Sequence, residues 1–216
     1  MLPLHFGSDR KRLRILCLGA HSDDIEIGCA GTLLRWLQEY RQIEVVWVVM
    51  SAEGARGIEA RMSARALLRR AAKLDIFLQD FRDGHLPADF ARAKGFLADL
   101  AGHARPDVIL THCLEDRHQD HRLLSELTWQ TWRHHTILEY EVPKYEGDLG
   151  QPNLYVPFTT SVMEKKLRHL WHHFGSQRGK DWFSPETFRS LMHLRGIECR
   201  APDGGAEAFL ARKLRV

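Results

Sequence analysis

The sequence predicts an α/β protein: a Rossmann-like three-layer α/β/α sandwich around a mainly parallel sheet. Three observations predict it. Short, wholly apolar runs such as LRILCLGA (13–20) and EVVWVVMS (44–51) have the continuous hydrophobicity of strands covered on both faces. Segments of helical length separate these runs, as in βαβ units. Charged, histidine-bearing stretches follow two of the runs, at the strand ends where open α/β sheets bind ligands.

Taken in order, 13–20 is a strand, and Gly28 to Tyr40 reads as a helix with Leu33, Leu34 and Leu37 on one face. Residues 44–51 form the next strand and 57–74, rich in alanine, leucine and arginine, the next helix. DIFLQDF (75–81) is a strand, 88–103 a helix, DVILTH (107–112) a strand after Pro106, 119–135 a helix and TILEYEV (136–142) a strand. Crossovers between parallel strands are right-handed in nearly all proteins. Beyond Pro143 the pattern changes. PKYEGDLGQPN is a loop, helices follow near 160–174 and 185–196, and AEAFLARKLRV ends the chain as a strand or irregular tail. The expectation is one domain over 1–216, with a core at about 12–143 and a C-terminal region at about 144–216 that shapes specificity.

A chain of 216 residues buries roughly 70% of the surface its unfolded form exposes, so it needs no covalent staples. Cys17, Cys29, Cys113 and Cys199 form no CxxC pair, which reads as buried free thiols in a reducing compartment. The N-terminus loosely imitates a secretory signal, but its apolar run is short and ends in HSDD rather than a cleavage site. No run approaches the ~20 apolar residues of a membrane span. A net charge of +3 without a basic tract gives no argument for nucleic acid. A cytoplasmic protein with no membrane span and no nucleic-acid partner is expected.

AHSDDIEIGCAGT (20–32) places His21, Asp23, Asp24 and Glu26 close together at the end of an apolar strand. His21 and Asp24, three apart across a strand-to-helix turn, can aim a nitrogen and a carboxylate oxygen at one point, and both are accepted zinc ligands. Helix capping is the plain alternative for either aspartate. Glu26 reads as a solvated or first-turn carboxylate. A dinucleotide loop is disfavoured, because G-x-G-x-x-G is absent and Asp23 and Asp24 would repel a pyrophosphate.

DRHQDHR (116–122) follows the strand 107–112 and therefore emerges on the same sheet edge. His118 and His121 are one helical turn apart and can both face a pocket there. His21, Asp24 and His121 then supply three ligands and leave a fourth position for water, the pattern of a catalytic zinc site. Zinc brings the pKa of such a water to about 7. Asp23 is the natural general base. His118 is an acid or, as a cation, an oxyanion stabiliser, with Asp120 placed to fix its ring and keep it protonated. Two histidines and one carboxylate also suit iron(II), so an iron oxygenase is a rival. A catalytically silent sugar- or metal-binding module is another.

These residues resemble the LmbE/PIG-L family of zinc-dependent de-N-acetylases, with first and second motifs close to AHPDD and HPDH. Here they stand as AHSDD (20–24) and HQDH (118–121). DDIEIGCAGT, RGIEA (56–60), RDGHLP (82–87), SQ (176–177) and AEAF (206–209) extend the resemblance over nearly the whole chain. It implies Zn2+, with Fe2+ or another divalent metal as substitute, on His21, Asp24 and His121. It implies Asp23 as base, His118 and Asp120 serving the oxyanion and leaving group, and Arg56 and Asp83 in contact with substrate. The implied reaction removes an N-acetyl group from an amino sugar or glycoconjugate, and a homo-oligomer is compatible with it. Ser22 replaces a usual proline, Ala30 a usual glycine, and Asp75 stands where a helix-ending glycine is expected; none removes a ligand. His134, His135, His172 and His173 match no motif position and read as surface or packing residues.

Overall fold

The apolar runs become strands of one sheet, and the segments between them become its covering helices. The structure is a computed structural model that describes residues 5–6 and 11–215. The elements are β1 (Arg12–His21), α1 (Asp24–Glu39), β2 (Gln42–Ser51), α2 (Gly54–Leu67), β3 (Lys73–Leu78), α3 (Phe90–His103) and β4 (Val108–His112). They continue with α4 (Gln119–Thr131), β5 (Thr136–Tyr140), β6 (Leu154–Phe158), α5 (Thr160–His173), α6 (Pro185–Cys199) and β7 (Gly205–Leu210). The strand order is β3-β2-β1-β4-β5-β7-β6. The first five strands in that order run parallel, and β7 runs antiparallel to both its neighbours.

Two apolar cores flank the sheet. Residues of α1, α2, α5 and α6 fill one, and residues of α3 and α4 fill the other. This is the expected three-layer sandwich, and it explains why β1 and β4 are apolar without alternation: both faces are covered. Among the described residues no helix is long and apolar enough to cross a membrane.

The boundaries differ from expectation in places that matter. Helix α1 begins at Asp24 rather than Gly28, so Asp24 and Glu26 occupy its first turn. Helix α2 ends at Leu67 rather than near residue 74. The Ala72 amide instead donates to the Ile43 carbonyl (2.7 Å), drawing the chain into the sheet, and β3 spans 73–78 rather than 75–81. Residues 154–158, for which no element was expected, form β6 at the sheet edge; an edge strand tolerates Pro157. In the C-terminal segment, residues 205–210 form the strand β7, and 211–215 follow without regular structure.

Helix α1 lies close against the sheet because glycines face it. A Cβ on Gly28 would stand 2.2 Å from the Tyr140 ring, and one on Gly31 would stand 2.5 Å from Phe158. A buried clamp holds the same helix from outside. Glu207 of β7 accepts the backbone amides of Gly31 (2.8 Å) and Thr32 (2.6 Å). Lys166 of α5 donates to the Ile27 carbonyl (2.5 Å) and to Glu207 (2.6 Å). Each buried charge thereby finds an opposite charge and a backbone group, without which it would be strongly destabilising.

Candidate active site

Strands β1 and β4 are neighbours, yet β1 leads to β2 on one side and β4 to β5 on the other. Chain direction diverges there, at the point where open α/β sheets form a crevice beyond the strand ends. His21 is the last residue of β1, and Asp24 is the first of α1. The turn between them is closed by the His21 amide, which donates to Asp24 Oδ2 (2.7 Å). Across the crevice, His118 caps α4: its Nδ1 accepts the Asp120 amide (3.3 Å), and Asp116 Oδ1 accepts the His118 amide (2.8 Å). That cap turns His121, in the first turn of α4, toward β1.

His21 Nδ1, Asp24 Oδ2 and His121 Nε2 converge. Their pairwise separations are 3.0, 3.3 and 3.4 Å. Ligands about 2.0–2.1 Å from a tetrahedral zinc stand about 3.3–3.4 Å apart. The outer ring nitrogens fix the tautomers. His21 Nε2 faces Asp83 Oδ1 (3.0 Å) and Asp120 Oδ2 (3.2 Å), and His121 Nδ1 faces Asp116 Oδ2 (3.0 Å). Protons on those outer nitrogens leave lone pairs on the inner ones. Three lone-pair donors then meet at one point, an arrangement that a cation stabilises and that carboxylate-backed metal histidines share. The donor set fits a divalent metal. His118 lies within reach of the same point, in a group with His21 and His121.

The charge balance agrees. Asp23, Asp24, Asp83, Asp116 and Asp120 surround the crevice with Arg56 and Lys144 as the fixed cations. Burial lowers the proton affinity of His21, but Asp24, Asp120 and Asp83 outweigh it and hold the imidazole well above its ordinary pKa. Asp24 is held ionised: burial opposes this, but His121, His112 and His21 dominate. Asp23 behaves oppositely. Burial and the charge of Asp24 raise it to about 6, although Arg56 and His21 pull it down. Its Oδ2 is buried without a hydrogen-bond partner, and Arg56 stands 3.9 Å from Oδ1. A carboxylate poised near neutrality with a free oxygen is suited to proton transfer.

Three expectations need correction. Asp120 does not fix the His118 ring through its carboxylate; only its backbone amide reaches that ring. Its carboxylate serves His21 and accepts the amides of Gly84 (2.7 Å) and Leu86 (3.0 Å). His118 is not held as a cation either: burial, then His121 and His21, lower its pKa. With Nδ1 accepting the helix amide, a neutral His118 retains Nε2–H as a donor. Glu26 also departs from its solvated reading. It is fully buried and bonded to Ser63, and burial raises its pKa well above the ordinary carboxylate value.

Arg56 and Asp83, expected at the substrate, form an ion pair at the mouth of the crevice, where Asp83 is also held to His21. Three residues escaped the sequence reading. His112, at the end of β4, accepts the Ala20 amide (3.0 Å) and lies 3.2 Å from Asp24; burial lowers its pKa to about 4. Asp116 orients His121. Lys144 bridges Asp116 (3.0 Å) to Asp148 (2.7 Å) and so ties the loop after β5 to the turn before α4. The cleft has a volume of about 270 Å3, and Val142, Lys144, Tyr145 and Trp182 also line it. That is near the lower end of small-ligand pockets, about 300 Å3.

Comparison with known proteins gives concordant matches. The profile of the family described as PIG-L: GlcNAc-PI de-N-acetylase matches residues 16–132. An Escherichia coli (strain K12) protein named uncharacterized deacetylase YaiS is 31% identical over 145 residues, covering 63% of this chain and 78% of that protein. The N,N'-diacetylchitobiose deacetylase from Pyrococcus horikoshii superposes with a TM-score of 0.70 at 22% identity, over 92% of this chain and 83% of that one. The 4-carboxy-2-hydroxymuconate hydratase GalB from Pseudomonas putida KT2440 superposes with a TM-score of 0.76 at 19% identity, over 94% and 98% of the two chains.

Proposed function

We propose, from the premise that this chain belongs to the PIG-L family of de-N-acetylases, that it hydrolyses the N-acetyl group of an amino sugar or its glycoconjugate with the help of a zinc ion. The observation that carries this reading is the convergence of His21 Nδ1, Asp24 Oδ2 and His121 Nε2 beside the unpartnered oxygen of Asp23. The fold alone does not choose the reaction, since a hydratase shares it.

His21, Asp24 and His121 would hold the metal, which when bound supplies Lewis acidity toward water and the acetyl carbonyl. The rest falls to side chains of this chain. Asp23 takes a proton from the attacking water. The neutral His118 presents its N–H to the oxygen of the tetrahedral centre, and a donor in that role is worth roughly 3–4 kcal/mol. Asp23 then returns the proton to the sugar nitrogen as the C–N bond breaks, and acetate and a free amine leave. Arg56 and Asp83 offer a donor and an acceptor for sugar hydroxyls at the mouth. Asp116 and Asp120 keep the two imidazoles oriented.

An amine-release screen across N-acetylated sugars, run with and without chelator, tests the proposal. Chelator-sensitive release of acetate and amine in equal amounts is expected. Water addition to an unsaturated acid without acetate release, or oxygen consumption, would replace the proposal with a hydratase or an oxygenase.

A further inference from the structure

We propose that the outer face of α2 and α5 docks onto an anionic phospholipid bilayer. Ile58 and Met62, one turn apart on α2, are 64% and 58% exposed. At helical spacing they share a solvent-facing stripe with Arg61 and Arg65, and Arg69 follows in the turn after the helix, all exposed. Arg70 comes next, and α5 adds the exposed Lys165 and Arg168 alongside. Burial, then the nearby charges of Arg69 and Arg70, lower the Lys165 pKa, which places these cations together. Among the described residues no carboxylate forms an ion pair with Arg61, Arg65, Arg69, Arg70 or Lys165. The acids on these helices are engaged elsewhere: Glu59 by Ser176 and Glu164 by Arg189. On the same side Trp171 of α5 is 43% exposed, with the Arg178 guanidinium 5.1 Å over its ring.

Unpaired cations call for an anionic partner. The aliphatic side chains among them decide which one. A phosphodiester backbone offers Ile58 and Met62 nothing to pack against. A second copy meeting the same face about a two-fold axis would bring like charges together. A bilayer satisfies both features: phosphate headgroups take the arginines, and the acyl boundary takes Ile58, Met62 and the Trp171 edge. This surface stands independently of the hydrolytic reading, and its test needs no turnover.

The experiment is co-sedimentation with vesicles of phosphatidylcholine alone and of phosphatidylcholine mixed with phosphatidylglycerol, at low and high salt. Wild type should pellet only with the mixed vesicles and leave them at high salt. Arg65→Gln and Arg69→Gln should each weaken binding by about fivefold. Ile58→Asp with Met62→Asp should abolish it while retention on heparin persists. Melting curves confirm folding, and Ile58→Ser with Met62→Ser serves if the aspartates destabilise. Equal binding to neutral vesicles, or no binding to either, overturns the proposal. So does binding untouched by the Ile58 and Met62 substitutions, which assigns the patch to a polyanion such as RNA. A dimer that the aspartates dissociate, without vesicle binding, assigns it to self-association.

Discussion

Replacing Gly28 by alanine should unseat the helix that carries Asp24. The added Cβ would lie 2.2 Å from Tyr140 Cδ2, whereas ordinary contact begins at 3.4 Å, so about 1.2 Å must be made up. The ring cannot yield. Tyr140 is fully buried, and its hydroxyl donates to the Leu18 carbonyl (2.7 Å). Helix α1 must lift instead, one turn from Asp24. Overpacking of this kind costs about 1–3 kcal/mol, and an immovable partner puts it at the upper end. Alanine recovers about 1 kcal/mol of helix propensity, leaving a net loss of about 2 kcal/mol. For a chain of this size that lowers Tm by about 4–8 °C. Chelator competition should show metal affinity reduced tenfold or more, because Asp24 no longer reaches the point where His21 and His121 meet. Adding Tyr140→Ala should restore affinity in the double variant through a favourable coupling term. If Gly28→Ala melts with the wild type and competes equally for metal, α1 is not seated as described and the derivation of the site from that packing fails.

Other outcomes follow from the same geometry. Asp23→Asn should retain the metal but lose about 10²–10⁴ in kcat. In the wild type kcat/KM should fall as pH drops through about 6, where Asp23 takes up a proton, and that acid limb should vanish with the substitution. Asp116→Ala frees the His121 tautomer and should weaken metal binding by about 10–100-fold in chelator competition. Glu26 has a folded pKa raised above its unfolded value, so its stabilising contribution is full below the unfolded pKa and is lost as pH rises. Glu26→Gln should therefore gain stability relative to wild type as pH rises above the ordinary carboxylate range in denaturant titrations; a gain toward low pH would contradict the neutral assignment.

Much of the site is written in two short strings because consecutive residues at a strand end and a helix start share a locality that no tertiary information is needed to see. His21, Asp23 and Asp24 are of that kind, and so are His118 and His121. The partner of Asp120 is not. Sequence proximity suggests His118, but the carboxylate turns to His21, 99 positions away, and only the adjacency of β1 and β4 decides this. His112 was hidden for the same reason: at the end of an apolar run it looks like strand, and its contact with the Ala20 amide requires the strand order. Asp116 stands in the second string, yet its function depends on which His121 nitrogen carries the proton. In the fold, parallel strands were legible from unbroken apolarity. The strand β6 was not, since a five-residue edge segment containing Pro157 owes its conformation to β7 rather than to its own pattern.

The clamp on α1 also bears on where this protein can be cut. Lys166 and Glu207 lie beyond residue 132, where the family match stops, yet they grip the backbone from which Asp24 projects. A truncated version ending with the matched segment would keep every proposed metal-binding side chain and lose the last strand's hold on them. It should bind metal poorly while looking complete in an alignment, and a C-terminal fragment supplied in trans is the natural way to restore it.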